Sequence, residues 1–137
     1  LCLRSGRPPR RTPVPYTRAS VRVYGVAAEP DNLPRWAAGL ARSEVVRDGE
    51  RLLVDSPMGK VTVTLVPRNG FGIIDHDVTL PSGQVINNPV RVIAHPDGAE
   101  IVFTIRQLDL SDEGFARDAA AGERDLDTLK RLVEQGS

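Results

Sequence analysis

Apolar and polar residues alternate through the middle of the chain, and the spacing becomes helical towards its end. Between residues 45 and 106, short apolar runs are separated by four turn sequences, Asp48-Gly49, Asn69-Gly70, Pro81-Ser82-Gly83 and Pro96-Asp97-Gly98. Connections this short join antiparallel neighbours and leave no room for helical crossovers. The pattern therefore predicts an antiparallel meander.

Alternation within each run assigns side chains to the two faces of this sheet. In the run Phe71–Leu80, His76 shares a face with Ile74 and Val78, whereas Asp75 and Asp77 fall on the opposite, wet face. In the run Gln84–Ala94, Asn88 shares the inner face with Ile86, Val90 and Val92. The inner face also takes Val61, Val63, Leu65, Ile101, Phe103 and Ile105. We expect Glu100 on the wet face and His95, in its turn, to be exposed.

A long amphipathic helix is predicted from about Ser111, a good N-cap, to Glu134. Its apolar stripe consists of Phe115, Ala119, Gly122, Leu126, Leu129 and Val133. Asp112 and Glu113 suit the positive end of the helix dipole. The small residues Ala119 and Gly122 leave space between helix and sheet, which is where we expect a ligand.

Two short helices are predicted before the meander. The first covers residues 20–28, and Pro30 closes it. Asp31 or Asn32 caps the second, in which Leu33 and Trp36 lie three residues apart and both face the core. Trp36 is expected to be a packing anchor.

Residues 1–19 differ in composition from the domain predicted over 20–135. Arg4, Arg7, Arg10, Arg11 and Arg18 occur there without any acidic residue, together with four prolines. Prolines exclude a regular helix or a central strand. We expect either a poorly ordered tail or a degraded first strand, in preference to a nucleic-acid-binding arm or a targeting peptide.

Composition excludes several classes of protein. The chain has no net charge, so the part that follows the arginine-rich segment carries about −5, which does not suit nucleic acid. The single cysteine fits a reducing compartment and a cytoplasmic location, and with only two histidines we predict no metal site. No apolar run reaches the ~20 residues of a membrane span, and no glycine-rich phosphate loop indicates a cofactor. Whether the protein is a monomer or a homodimer stays open.

Two segments resemble a known group of proteins. Val23–Ala41, with its Pro-Asp-Asn-Leu-Pro-Arg-Trp piece, is similar to the opening helices of the START-like SRPBCC superfamily, and Ile73–Val92 with the closing helix resembles its small bacterial members. The resemblance covers roughly residues 21 to 135. It implies a helix-grip α+β fold, in which an antiparallel sheet wraps around the C-terminal helix. It also implies an apolar strand before the first helix, where this chain has Pro13 and Pro15.

The superfamily includes polyketide cyclases, dehydratases and lipid carriers, so the resemblance leaves the activity open. One hypothesis is a carrier or sensor that binds an apolar or amphipathic small molecule between the sheet and the terminal helix. The alternative is a cyclase- or dehydratase-type enzyme, with His76 as general base and Asn88 as an oxyanion partner. Few polar groups converge on the inner face, which favours binding. The predicted ligand-binding residues are Tyr24, Trp36, Ile74, His76, Val78, Asn88, Val90, Phe103, Ala119 and Gly122.

Overall fold

Eight strands and three α-helices form the part of the chain that the computed structural model describes, namely the backbone of residues 2–5 and all of residues 17–135. The helices are α1 (Arg18–Ala27), α2 (Leu33–Trp36) and α3 (Asp112–Gln135), and a 3-10 turn, Pro30–Asn32, precedes α2. The strands are β1 (Cys2–Ser5), β2 (Val46–Asp48), β3 (Arg51–Ser56), β4 (Gly59–Leu65), β5 (His76–Thr79), β6 (Val85–Asn88), β7 (Val90–His95) and β8 (Gly98–Thr104).

The strands form two antiparallel sheets, with the orders β2-β3-β4-β5-β6 and β1-β8-β7. An isolated bridge between Ile73 and Arg91 joins the two sheets, and we call this junction the bend. Only Pro89 separates β6 from β7, so a single run of chain belongs to both sheets. Proline lacks the N–H that a continuous ladder needs at this position, which divides the strand predicted over Gln84–Ala94.

The neighbouring run of chain, residues 72–79, also changes its hydrogen-bonding partner beside Pro89. Ile74 N–H donates to the Val90 carbonyl and Val92 N–H to the Gly72 carbonyl, whereas His76–Thr79 pairs with β4 and β6. Gly72 has φ +73°, and a Cβ there would collide with the Val92 carbonyl. Only glycine permits this close approach. The strand predicted over Phe71–Leu80 is therefore two short segments.

Asp75 stabilises the bend. Its Oδ1 accepts from Val90 N–H at 3.0 Å and from Arg91 Nε at 2.9 Å, and its Oδ2 accepts from the terminal guanidinium nitrogen of Arg91 at 2.7 Å. The Arg91 guanidinium holds the pKa of Asp75 below its ordinary value. The prediction that Asp75 and Asp77 are two solvent-facing carboxylates was incomplete. Asp75 also accepts a hydrogen bond from the backbone N–H of Val90, where the strands change partner. Asp77 accepts from Asn87 on the outer face.

The helices begin where side chains cap them. Thr17 and Ser20 form a reciprocal capping box, so α1 begins at Arg18 rather than at Ser20. In α3, Gly114 N–H donates to Ser111 Oγ at 3.0 Å, which confirms the predicted N-cap. Pro13 and Pro15, where the resemblance implies the first strand, lie outside the described residues. The strand that pairs with β8 is Cys2–Ser5.

The core lies between the sheet and the helices. Leu126 and Leu129 of α3 share one buried cluster with Leu33 and Trp36 and with the inward residues of the sheet, which include Val61, Val63, Ile74, Val78, Val90, Val92, Ile101 and Ile105. The fold is therefore α+β with the helix-grip arrangement, and the inner face contains the residues that alternation predicts. Among the described residues, no helix has the length and apolar character needed to cross a membrane.

Two predictions about exposure are wrong. His95 and Glu100 are each only 3% exposed. The Nδ1 atom of His95 accepts from Asp97 N–H at 3.0 Å, so the ring folds back over its own turn instead of extending into solvent. Glu100 lies on the face opposite Ile101, so β8 is covered on both sides at this point.

Replacing Asp75 should destabilise the fold far more than replacing its neighbour on the same face. We expect Asp75→Ala to lower the free energy of unfolding by about 1–3 kcal/mol, because Val90 N–H and Arg91 lose their acceptor. Asp77→Ala, the matched control, should cost less than about 1 kcal/mol. Urea denaturation at pH 7 measures both, and equal losses would contradict the role given to Asp75.

Candidate functional site

The six predicted site residues on the sheet form one patch of its inner face. His76 and Asn88 are direct partners across β5 and β6, and Val78 pairs with Ile86 in the next row. On the other side, Ile74 is hydrogen-bonded to Val90, which pairs with Phe103. Within this patch, His76 and Asn88 are polar and the remaining members are apolar.

His76 has a defined protonation and orientation. Its Nδ1 lies 3.1 Å from the Ile74 carbonyl oxygen. A carbonyl oxygen only accepts, so Nδ1 holds the proton and Nε2 holds the lone pair. Burial lowers the pKa of His76, and the Ile74 carbonyl and the two flanking aspartates offset only part of that effect. The ring is therefore neutral at pH 7, with its basic nitrogen unblocked by any described residue.

Tyr24 does not join this pair through its hydroxyl. The Tyr24 oxygen accepts from Asn69 N–H at 2.9 Å, and the Arg68 guanidinium lies 5.5 Å from the centre of the tyrosine ring. Asn69 in turn accepts from Phe71 and Ile73 N–H, so its side chain organises the loop between β4 and β5. Tyr24 therefore anchors this loop to α1.

Trp36 is a packing residue with an unused donor. It is buried beside Leu33, as predicted. Its indole Nε1 is buried without a hydrogen-bond partner among the described residues. A buried donor without a partner lowers the stability of the fold by about 1–3 kcal/mol, and the apolar packing of the indole ring offsets this cost.

A cavity of about 370 Å³ lies between α1, the β7–β8 hairpin and the second half of α3. Its apolar wall consists of Ala19, Val23, Ala99, Ile101, Leu126, Leu129 and Val133. Its polar groups come from His95, Asp97, Lys130 and Glu134. The wall thus has an apolar part and a polar part, as an amphipathic molecule requires.

This cavity does not coincide with the predicted ligand-binding residues. Leu126, Leu129 and Val133 of the predicted helix stripe line it, together with the predicted inward residue Ile101. The ten residues predicted to bind ligand are absent from the described wall. His95 was missed because a histidine in a Pro-Asp-Gly turn is normally exposed, and no local signal shows that α1 and α3 pack against this hairpin.

Asp125 joins α3 to the turn that follows α2. Its Oδ2 accepts from Gly39 N–H at 3.1 Å, and a Cβ at Gly39 would lie only 2.8 Å from the same oxygen. Burial raises the pKa of Asp125 to about 6, although the Gly39 N–H and Arg124 act in the opposite direction. Its charge is therefore poorly compensated at neutral pH.

Removing the Asp125 charge should stabilise the protein at neutral pH. A carboxyl whose folded-state pKa is raised adds stability below its ordinary pKa of 3.8 and loses it as the pH rises through about 6. We expect Asp125→Asn to be more stable than the wild type by about 1 kcal/mol at pH 7, allowing for partial exposure, with no such gain at pH 4.

The exposed Asp127→Asn on the same helix is the control and should show no such pH dependence. Chemical denaturation across pH 4–8 measures all three proteins. If Asp125→Asn is more stable than the wild type by the same amount at every pH, the Asp125 charge is not the cause of the gain.

The protonation of His76 can be measured directly. We expect two-bond ¹H–¹⁵N spectra to show a His76 pKa below 6.5 and, at pH 7, the tautomer with its proton on Nδ1. His76→Phe assigns the signals, because His95 is the one other histidine of the chain. A proton on Nε2 would contradict the bond to Ile74.

Comparison with known proteins supports the fold. No protein-family model and no curated protein matches the chain. An uncharacterized protein from Rhizobium leguminosarum aligns over 98% of this chain and 93% of its own, with a TM-score of 0.59 and 18% identity. A protein from Chromobacterium violaceum aligns over 97% of each chain, with a TM-score of 0.59 and 17% identity. At such identities, the likeness shows that the chain has the same fold as these bacterial proteins.

Proposed function

We propose that this protein binds an amphipathic small molecule between its sheet and its C-terminal helix. The observation that carries the proposal is the cavity beside the β7–β8 hairpin. Its volume of about 370 Å³ falls in the ~300–1,000 Å³ range of small-molecule sites.

The distribution of residues in the wall orients such a ligand. The apolar part of the molecule packs between Val23, Ile101 and Leu129, which come from α1, β8 and α3. The polar end lies towards Lys130 and Glu134, which are one helical turn apart on α3 and exposed. Burial of the apolar part supplies the affinity, at about 25 cal/mol per Å².

Catalysis by a cyclase- or dehydratase-type mechanism has less support. Such an enzyme needs several polar groups that converge on one reacting atom. Among the described residues, the inner face brings His76 together with Asn88, while the Tyr24 hydroxyl is occupied by Asn69 N–H. Binding without turnover is the better account of this arrangement. The superfamily resemblance agrees with it, since lipid carriers share the fold it implies.

Two tryptophan substitutions on α1 test the proposal. Val23 lines the cavity, whereas Val21 on the same helix is 62% exposed. We expect Val23→Trp to fill the cavity and weaken binding of the apolar dye N-phenyl-1-naphthylamine at least tenfold. Val21→Trp should leave the affinity within a factor of about two. Dye fluorescence gives the dissociation constants, and thermal melts confirm that both variants fold.

Ala19→Leu provides an independent check, because Ala19 also faces the cavity and leucine adds less volume than tryptophan. Ala19→Leu should weaken binding of the dye by a factor between those expected for Val21→Trp and Val23→Trp. Unchanged affinity in both folded cavity variants, or failure of the wild type to bind the dye, would refute the proposal.

A further inference from the structure

Two hydrogen-bonding groups without a described partner lie side by side on the inner face of the sheet. His76 and Asn88 are paired across β5 and β6, which places their Cβ atoms about 5 Å apart. The Asn88 amide makes no hydrogen bond with any described residue, and neither does His76 Nε2. Both side chains are partly buried. Neither His76 Nε2 nor the Asn88 amide is among the fully buried unpartnered atoms of the described residues, so both groups are accessible to solvent.

The pair combines complementary chemistry. Since Nδ1 of His76 donates to Ile74, Nε2 can only accept while the ring is neutral. The Asn88 amide nitrogen can donate. The two side chains therefore present one acceptor and one donor next to each other, and neither has a charge.

The surroundings are apolar and become more open towards the pair. In the adjacent row of the sheet, Val63 is 0% exposed and Val78 is 2% exposed. In the row that contains the pair, Leu65, His76 and Asn88 are all only partly buried. On the far side of the pair, Ile74 and Val90 are again only 5% and 4% exposed. The pair therefore lies at the edge strand β6, between two rows that include buried apolar residues.

This place is distinct from the cavity beside the β7–β8 hairpin. The chain runs from Asn88 to His95 through seven residues of extended strand, or about 20 Å. Five residues of the second half of α3 line the cavity, whereas neither His76 nor Asn88 does. The two places are therefore formed by different residues of the inner layer.

We propose that His76 and Asn88 form a second binding site, which takes an uncharged group with an N–H or O–H beside a carbonyl oxygen. A primary carboxamide or an un-ionised carboxylic acid has this chemistry. The N–H or O–H donates to His76 Nε2, and the carbonyl oxygen accepts from the Asn88 amide. An ionised carboxylate is disfavoured, because it offers His76 no proton and loses its hydration next to apolar side chains.

Octanamide is the probe, and N,N-dimethyloctanamide is its matched control. The two have the same acyl chain and carbonyl group, but the control has no N–H to donate. We expect octanamide to shift the His76 Nε2 ¹⁵N resonance of the wild-type protein as the nitrogen accepts a hydrogen bond. The control should bind at least about tenfold more weakly, because a site built for a hydrogen bond rejects an analogue that lacks the donor.

Three variants locate the effect. His76→Phe and Asn88→Leu should each weaken the binding of octanamide at least about tenfold, since each leaves one polar group of the ligand without a hydrogen-bond partner. Asn87→Leu, which changes the neighbouring asparagine on the outer face, should not change its affinity. His76→Gln restores an acceptor and should recover part of the affinity, which loss of packing alone would not allow.

Binding of octanamide should be independent of the cavity beside the β7–β8 hairpin. The Val23→Trp variant, with its cavity filled, should retain the His76 response to octanamide in full. The proposal is overturned if octanamide leaves the Nε2 resonance unchanged, if it binds no better than its dimethyl analogue, or if it perturbs only the residues of the cavity such as Leu126 and Ala99.

Discussion

One bend in the sheet determines the rest of this structure. Two adjacent runs of chain change partners at the same level, one at Asp75 and the other at Pro89. The change leaves Val90 N–H without a ladder partner, and the Asp75 carboxylate accepts it together with the Arg91 guanidinium. Gly72 permits the backbone of one run to approach the other closely. The inner face of the bent sheet then meets α3 in one shared core.

The same bend separates two kinds of environment along the inner layer. On one side, α1 packs against the β7–β8 hairpin, and the second half of α3 completes the wall of the cavity there. On the other side, β5 and β6 place His76 beside Asn88 where the layer is less completely covered. Val63 and Val78, in the row of the sheet next to this pair, are fully buried.

Electrostatics at the periphery follows from how well each carboxylate is paired. The Asp75 carboxylate has a guanidinium and a backbone N–H, and its pKa falls below the ordinary value. Asp125 accepts from one backbone N–H and is partly buried, and burial raises its pKa to about 6. Glu29 and Asp31 contact the Arg47 guanidinium at 2.7 and 3.3 Å, in exposed pairs that join the 3-10 turn to β2. Such surface pairs contribute little stability.

The amino-acid sequence by itself determined the terminal helix and the faces of the strands in the meander. Period-two alternation is a local property, and it predicted correctly that His76, Val78 and Asn88 share the inner face while Asp75 and Asp77 share the outer one. Helical spacing and a serine N-cap likewise predicted α3 and its buried stripe. Only the tertiary structure decided where the strands change partners, that His95 and Glu100 are buried, and that a cavity forms beside the β7–β8 hairpin. These features depend on which distant elements pack together, and residues that lie far apart in the chain leave no periodic signal of that packing.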